Sequence, residues 1–524
     1  MAFSCMLLRM RRWFALVASA LVVLAAGGAA ANGRFPAAQR LIRSPANPDQ
    51  LYLSATFGLL VSGDRGQNWY YVCERAFASA VVEGDALLEV LPSGQVLSGI
   101  VQSLQASAEC GCNFQPVAAE SEAETISDVT TRAGAIFALI RTGAAGAPAS
   151  FRVDRSDDEG GSFATVSALP SEVAEALTLD VAPSDPSLIY VSALNRAGAG
   201  VLYVSDDAGS SWAERPITGT TASRQPYIAA VHPTNPDALY VRTDAWEEND
   251  EGLEQASDAL LYSEDRGASW TELLRRGGKL FGFALADDGA TVFAGYGDPV
   301  QAVRVTLAAE LGIYRASASD FAFQQVLAAP VSCLAWREGR LEACFEQNYP
   351  DLDVPFTLGS ADAASLAAPA TLSVFTPVLR LSDVRGPLAC AAAACAEDWS
   401  MGNELAPAAC ARLGAECEVD ASAHVIDCRA AGGAAGSGAS GQGGAATAGV
   451  GGVARGGSSG AGGIAPTGGK NGAGDAGLGG MAPEEKSSDG CGCRVPGVVQ
   501  QHSDLLLIVS VLCVFGLRRR READ

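Results

Sequence analysis

One short pattern recurs along this chain and limits what the chain can become. Ser-x-Asp-x-Gly-x-x-Trp/Phe occurs at Ser62/Asp64/Gly66/Trp69, Ser156/Asp158/Gly160/Phe163, Ser205/Asp207/Gly209/Trp212 and Ser263/Asp265/Gly267/Trp270. A fifth copy, Ser107/Glu109/Gly111/Phe114, carries glutamate in place of aspartate. Each copy reads as a hairpin turn. The aspartate can fold back onto nearby backbone N–H groups, the glycine accepts positive φ, and the serine hydroxyl supplies a local partner. The aromatic residue is expected to open the next strand and to plug the apolar layer beneath it.

The aromatic positions set the period. Successive spacings from Trp69 are 45, 49, 49 and 58 residues, and a degenerate sixth unit ends near Phe323, 53 residues further on. The longest step is taken up by an acidic insertion from Trp246 to Ser257, read as an exposed loop. A seventh, weaker unit runs from Cys333 through Ser360 and Asp362 and lacks the glycine and the aromatic. Between the turns lie short runs rich in Val, Leu, Ile and Tyr, with no sustained helical periodicity before residue 385. Three stretches, starting at Leu41, Leu177 and Ile228, share an apolar strand, a turn with two prolines and a Leu/Ile-Tyr strand. Proline there bounds strands rather than interrupting them. Repeats of about 50 residues with about four strands each predict an all-β fold, a β-propeller of seven four-stranded blades over residues 32–384. Six or eight blades fit the irregular first and last units as well, and the pattern does not say how the ring is sealed.

The repeats resemble the Asp-box (BNR) repeats of sialidases, sortilin-type receptor domains and the propellers of photosystem assembly factors. In those families the box lies at the outer turn between the third and fourth strands of a blade, away from the central channel. The resemblance therefore implies that the residues of the five boxes are structural.

The termini speak about location. Arg9, Arg11 and Arg12, an apolar stretch from Trp13 to Ala26, and Ala29-x-Ala31 form an export signal over residues 1–31. Export permits disulfides. Of 14 cysteines, ten fall in the exported body. In CLAWREGRLEAC, a turn at Glu338-Gly339 sets Cys333 across from Cys344, a cross-strand disulfide geometry. Residues 385–428 form a Cys-rich segment with five cysteines, an odd number that leaves one to pair with the propeller or stay free. Its spacings suit disulfides better than structural zinc, the other reading. Residues 429–490 are Gly/Ala/Ser-rich, too poor in apolar surface to offset their ordering entropy, and act as a tether reaching about 40–50 Å. Residues 491–524 carry Cys491, Gly492 and Cys493, an apolar run from Leu505 to Leu517, and four arginines. This ensemble resembles a myxobacterial C-terminal sorting signal, which implies cleavage near Cys491; the other reading is a permanent single-pass anchor, with the arginines cytoplasmic. Both place the body at the cell surface, attached to the membrane through its tail.

Composition removes some functions. A net charge of −23 excludes a nucleic-acid partner. The acidic run Glu247, Glu248, Asp250 and Glu251 lacks the ligand spacing of a calcium loop. No Ser-His-Asp set, HExxH, P-loop or GxSxG elbow is present, so neither cofactor nor metal is expected. His232 reads as a hydrogen-bonded turn residue. A sialidase-type site needs several arginines around a carboxylate, a tyrosine with a glutamate partner, and an acid. Arg34-Phe35-Pro36, Arg141, Arg152, Arg224, Arg242 and Arg304 are available, but their order along the chain does not bring them together. Two functions remain. One is a non-catalytic module that binds an unidentified protein or glycan through loops on one face, and the other is an exo-acting glycosidase with its site in the channel.

Overall fold

Each apolar run is too short to bury its own surface, so it pairs with the next run across a tight turn. The resulting meanders then stack on one another. The chain forms a β-propeller, seen in a computed structural model. The structure describes residues 38–395 apart from 57, 78–86, 101–102, 109, 119–123, 144–147, 249–253, 299–307, 347–353, 381–382, 389 and 392–394. The expected signal, tether and sorting tail lie outside the described residues. No helix among the described residues is long and apolar enough to cross a membrane.

The strands form six sheets, one of them eight-stranded. That sheet is joined at its middle by a single residue pair, Thr221 with Arg224. Parting it there leaves antiparallel meanders of four strands spanning 38–73, 87–118, 124–168, 173–221, 224–277, 279–327 and 331–379, here units 1 to 7. From unit 1 to unit 5, the first strand of each unit packs on the first strand of the next. The first strand of unit 6 packs on the second and third strands of unit 5 and on the first strand of unit 7, which meets the first strand of unit 1. The first strands thus surround the axis. The three Leu/Ile-Tyr strands place Tyr52, Tyr190 and Tyr240 in the second strand of units 1, 4 and 5, fully buried between sheets.

A further strand, Val384–Pro387, runs parallel to the last strand of unit 1, with Val384 opposite Trp69 and Pro387 opposite Tyr71. Beyond it, Cys395 is disulfide-bonded to Cys73 and Cys390 to Cys112. The expected boundary at residue 384 is therefore not a structural one. The start of the Cys-rich segment is strapped across units 1 and 2. Cys333 and Cys344 are paired in their ladder and disulfide-bonded, with 4.8 Å between their Cα atoms.

In an antiparallel meander, the turns from first to second and from third to fourth strand lie at one end. The turn from second to third strand, and the passage to the next unit, lie at the other. The boxes therefore occupy one face of the ring. On the opposite face, the second-to-third connections are short in units 1, 2 and 4 (56–57, 101–102 and 196–198) and longer in units 3, 5, 6 and 7 (143–149, 249–253, 298–311 and 346–357). Long loops on a rigid frame are where binding residues concentrate.

Candidate functional site

The box serines and aspartates are fully engaged with one another. In the four aspartate copies, the serine hydroxyl accepts from the box glycine N–H at 2.7–2.8 Å and donates to the aspartate Oδ1 at 2.8–2.9 Å. The same Oδ1 accepts the backbone N–H of Asn68, Ser162, Ser211 or Ser269 at 2.8–2.9 Å, and Oδ2 accepts that residue's side chain. This partner, the residue just before the aromatic, is absent from the sequence pattern as first drawn. Its signal is legible all the same, because the position is Asn or Ser in all five copies, Asn113 included. Hydrogen bonds from Ser211 and Ser269 hold Asp207 and Asp265 at about 2.

Two consecutive residues have positive φ in every box: Arg65 and Gly66, Cys110 and Gly111, Glu159 and Gly160, Ala208 and Gly209, Arg266 and Gly267. Glu109 itself lies outside the described residues, and Ser107 donates to the Cys112 carbonyl. In units 1, 4 and 5 the first of these residues donates its N–H at 2.8 Å to a carbonyl of the double-proline turn, at Asp49, Ser187 or Asp237. The glycines also face the preceding unit. A Cβ at Gly66 would stand 2.7 Å from Val378 of unit 7, at Gly111 2.7 Å from Leu59 of unit 1, and at Gly209 2.4 Å from Val166 of unit 3.

The box aromatics depart from the expectation of a buried plug that opens a strand. Only Trp69 meets it in full, as the first residue of its strand and 1% exposed. Phe114, Phe163, Trp212 and Trp270 are half-buried, and each stands one residue before its strand, which begins at Gln115, Ala164, Ala213 or Thr271. The physical reason is position. The fourth strand is the outermost of its unit, so a ring at its entrance packs on the edge of the core and keeps part of itself in water. Trp69 is sealed because the strand from Val384 pairs beside it.

What these four rings cover is the seam between units. Phe114 packs on a cluster holding Leu59 of unit 1, Phe163 on one holding Leu97 of unit 2, Trp212 on one holding Val153 of unit 3, and Trp270 on one holding Leu202 of unit 4. Trp69 Nε1 donates to the Val378 carbonyl at 3.2 Å and Trp212 Nε1 to Ser167 Oγ at 2.7 Å, again across units. The boxes are joints between units, and their hydroxyls and carboxylates are spent on the turn.

The opposite face differs. There, side chains from units 3 to 6 converge around the mouth of the ring. Arg141, near the end of the second strand of unit 3, faces Glu175 on the first strand of unit 4. Half-buried Glu175 has its carboxyl pushed above the usual carboxylate range by burial, against the pull of Arg141. Glu175 lies within electrostatic reach of Tyr227, on the first strand of unit 5. Burial raises the Tyr227 phenol, whose OH donates to Gln225 Oε1 at 2.7 Å. Arg242 lies directly across the ladder, its guanidinium 4.9 Å from the Tyr227 ring centroid.

Arg242, Asp244 and Trp246 alternate along one face of the second strand of unit 5, toward unit 6. Lys279, the first residue of unit 6, is 3% exposed. Its ammonium reaches Asp244, the Ala245 carbonyl at 3.0 Å and Asp258 Oδ1 at 3.4 Å, and lies 4.4 Å from the Trp246 ring centroid. Asp258 accepts the N–H groups of Ala245 and Leu280 at 2.8 and 2.9 Å, and burial pushes it up to about 6 against the pull of Lys279. At the mouth of units 6 and 7, Glu346 accepts the Asp298 N–H at 3.3 Å and is pushed up to about 8 by burial.

Of the arginines named from the sequence, Arg141 and Arg224 therefore stand on the open end of units 3 and 5, while Arg242, the fourth residue of its ten-residue strand, is buried against Tyr227. Arg152 is committed within unit 3, to Glu124 at 2.6 Å and Asp154 at 3.0 Å. Arg34 and Arg304 lie outside the described residues. Glu175, Tyr227, Asp244 and Asp258 carry no mark in the sequence that singles them out; Lys279 is marked only as the sole lysine between residues 38 and 395. The stretch read as an exposed acidic insertion is in part a continuation of the hairpin, with Trp246 paired to Ala256 and Glu248 to Glu254. No cluster of metal-ligating side chains occurs among the described residues.

Residues 152–300 match the family model for the Vps10-type domain of sortilin, neurotensin receptor 3. No curated protein matches the chain. Several solved structures are similar. One is an ancestral GH74 enzyme, at 16% identity over 56% of this chain and 39% of that chain, with a TM-score of 0.40. Another is the GH74 xyloglucanase from Xanthomonas campestris, at 16% identity over 63% of each chain and a TM-score of 0.31. A third is an α-L-arabinofuranosidase from Fusarium graminearum, at 12% identity over 50% of this chain and 87% of that one, with a TM-score of 0.34. The match thus spans 39% and 63% of the two GH74 proteins. Likeness of this degree leaves the chemistry to the residues themselves.

Proposed function

We propose that this chain is an exported, C-terminally tethered β-propeller that acts on glycans at the mouth of units 3 to 6, as an exo-acting glycosidase. The observation that carries the reading is the convergence of Arg141, Glu175 and Tyr227 from three units on one face. Burial shifts Glu175 toward its protonated form, the form that a proton donor to a departing glycosidic oxygen needs. Arg141 supplies positive charge within electrostatic reach of it, suited to a sugar carboxylate or to developing negative charge, while Arg242 is buried against Tyr227 and backs that ring.

The test is a glycoside panel presented to the full-length protein and to Glu175→Gln. Turnover of one substrate, reduced at least about 10²-fold in the variant at unchanged melting temperature, supports the reading. Turnover unaffected by the substitution, or none on any substrate, overturns it. A second reading, glycan binding without cleavage, is favoured by Tyr227, whose hydroxyl is engaged by Gln225 and whose ionisation burial opposes. Saturable binding without turnover would select it.

A further inference from the structure

Trp246 is the one large apolar side chain exposed among the described residues, at 38%. It stands where the second and third strands of unit 5 outrun the others. Each is ten residues long, and the pairs from Trp246 with Ala256 to Glu248 with Glu254 carry the hairpin roughly 10 Å outward at about 3.3 Å per residue. The indole is also held still. One face rests against the Lys279 ammonium, and that ammonium is itself fixed by Asp244, Asp258 and the Ala245 carbonyl. A lysine almost wholly removed from water is costly to keep. Here it anchors a ring that stays 38% exposed.

A rigid aromatic face beside hydrogen-bonding groups is a surface on which the C–H face of a sugar ring can lie. A protein partner fits less well. One indole, with no second large apolar side chain exposed among the described residues, offers far less apolar area than an interface core needs. Charge narrows the ligand further. Glu247, Glu248, Asp250, Glu251 and Glu254 follow Trp246 in sequence, and no basic residue occurs between Trp246 and Arg266. An anionic sugar approaching this hairpin is repelled.

We infer that Trp246 is a stacking subsite for a neutral pyranose, a unit of the glycan other than the one that meets Glu175. The inference rests on the glycan reading of the mouth, but its test does not depend on turnover. The full-length protein is labelled with 5-fluorotryptophan, and the Trp246 fluorine resonance is assigned by its absence from Trp246→Phe. Oligosaccharides of β-linked glucose, of β-linked N-acetylglucosamine and of galacturonate are titrated in turn. A saturable shift of the Trp246 resonance with a neutral oligosaccharide and none with galacturonate is expected. Affinity should fall at least about tenfold in Trp246→Ala, with unchanged melting temperature, and be largely kept in Trp246→Phe. Equal affinity of Trp246→Ala and parent, a preference for galacturonate, or no shift with any of the three overturns the inference. A positive result here alongside an inactive glycoside panel would reject catalysis and keep the subsite.

Discussion

The placement of the box glycines between units can be tested by comparing Gly160→Ala with Gly209→Ala. Both glycines have the same backbone conformation, φ of 89° and 93°, so a methyl group at either pays the left-handed penalty of about 1–2 kcal/mol. The surroundings differ. A Cβ at residue 160 meets its nearest atom, on Val117, at 3.5 Å, an ordinary contact. A Cβ at residue 209 would lie 2.4 Å from Val166 Cγ1 of the preceding unit. Val166 must then rotate or the units must part, an overpacking cost of about 1–3 kcal/mol beyond the backbone term. Urea unfolding followed by tryptophan fluorescence should therefore show a loss of about 1–2 kcal/mol for Gly160→Ala and about 2–5 kcal/mol for Gly209→Ala. Adding Val166→Ala removes the clashing methyl, so Gly209→Ala should cost less in that background than in the parent. Equal losses at the two glycines, with no relief from Val166→Ala, would refute the idea that these turns press on the neighbouring unit.

Other perturbations read other parts of the fold. His232 Nδ1 accepts the N–H groups of Thr234 and Asn235 at 3.3 and 3.1 Å, and burial lowers its pKa below 6.5. The folded state thus favours the neutral ring, and the contribution of His232 to stability should fall as pH drops from about 6.5 toward the lowered value; the advantage of the parent over a His232→Asn variant in urea midpoints should therefore shrink between about pH 7.5 and 5, and a constant difference would contradict it. The disulfides Cys73–Cys395 and Cys333–Cys344 span sequence separations of 322 and 11. By the chain-entropy account, replacing the first pair with alanine should cost roughly 3 kcal/mol more than replacing the second, and equal unfolding midpoints would contradict this. Lys279→Met leaves Asp258 buried without its cation and should cost about 3–5 kcal/mol, part of it recovered in Lys279→Met/Asp258→Asn, where the amide oxygen can still accept one of the two backbone N–H groups; a loss no smaller in the double variant would break the coupling.

The open face shows why a site can be invisible in a sequence whose architecture is not. Arg141, Glu175, Tyr227 and Lys279 come from four units and are separated by 34, 52 and 52 residues. Nothing local marks them, since each is one polar residue in an otherwise ordinary strand. Lys279 alone leaves a trace, as the only lysine between residues 38 and 395. The strap from Val384 is equally hidden. Its cysteines can be counted, but their partners Cys73 and Cys112 lie 322 and 278 residues away, and the parallel pairing with unit 1 has no turn to announce it. The same strap separates Trp69 from Phe114, Phe163 and Trp270, which the repeat pattern treats as equivalent. An identical local motif cannot say which of its rings another part of the chain will cover.

What the sequence determined by itself was local and repeated. A serine, an aspartate, a glycine and an Asn or Ser within seven residues can satisfy one another without help, so the turn is written wherever they occur. Alternating apolar runs around such turns then make strands, and strands recurring about every 50 residues make a ring. The tertiary structure decided which polar residues meet across units, which glycine must yield to a neighbour, and where the chain's end is tied. Those depend on distances between units, and such distances exist only once the ring has closed.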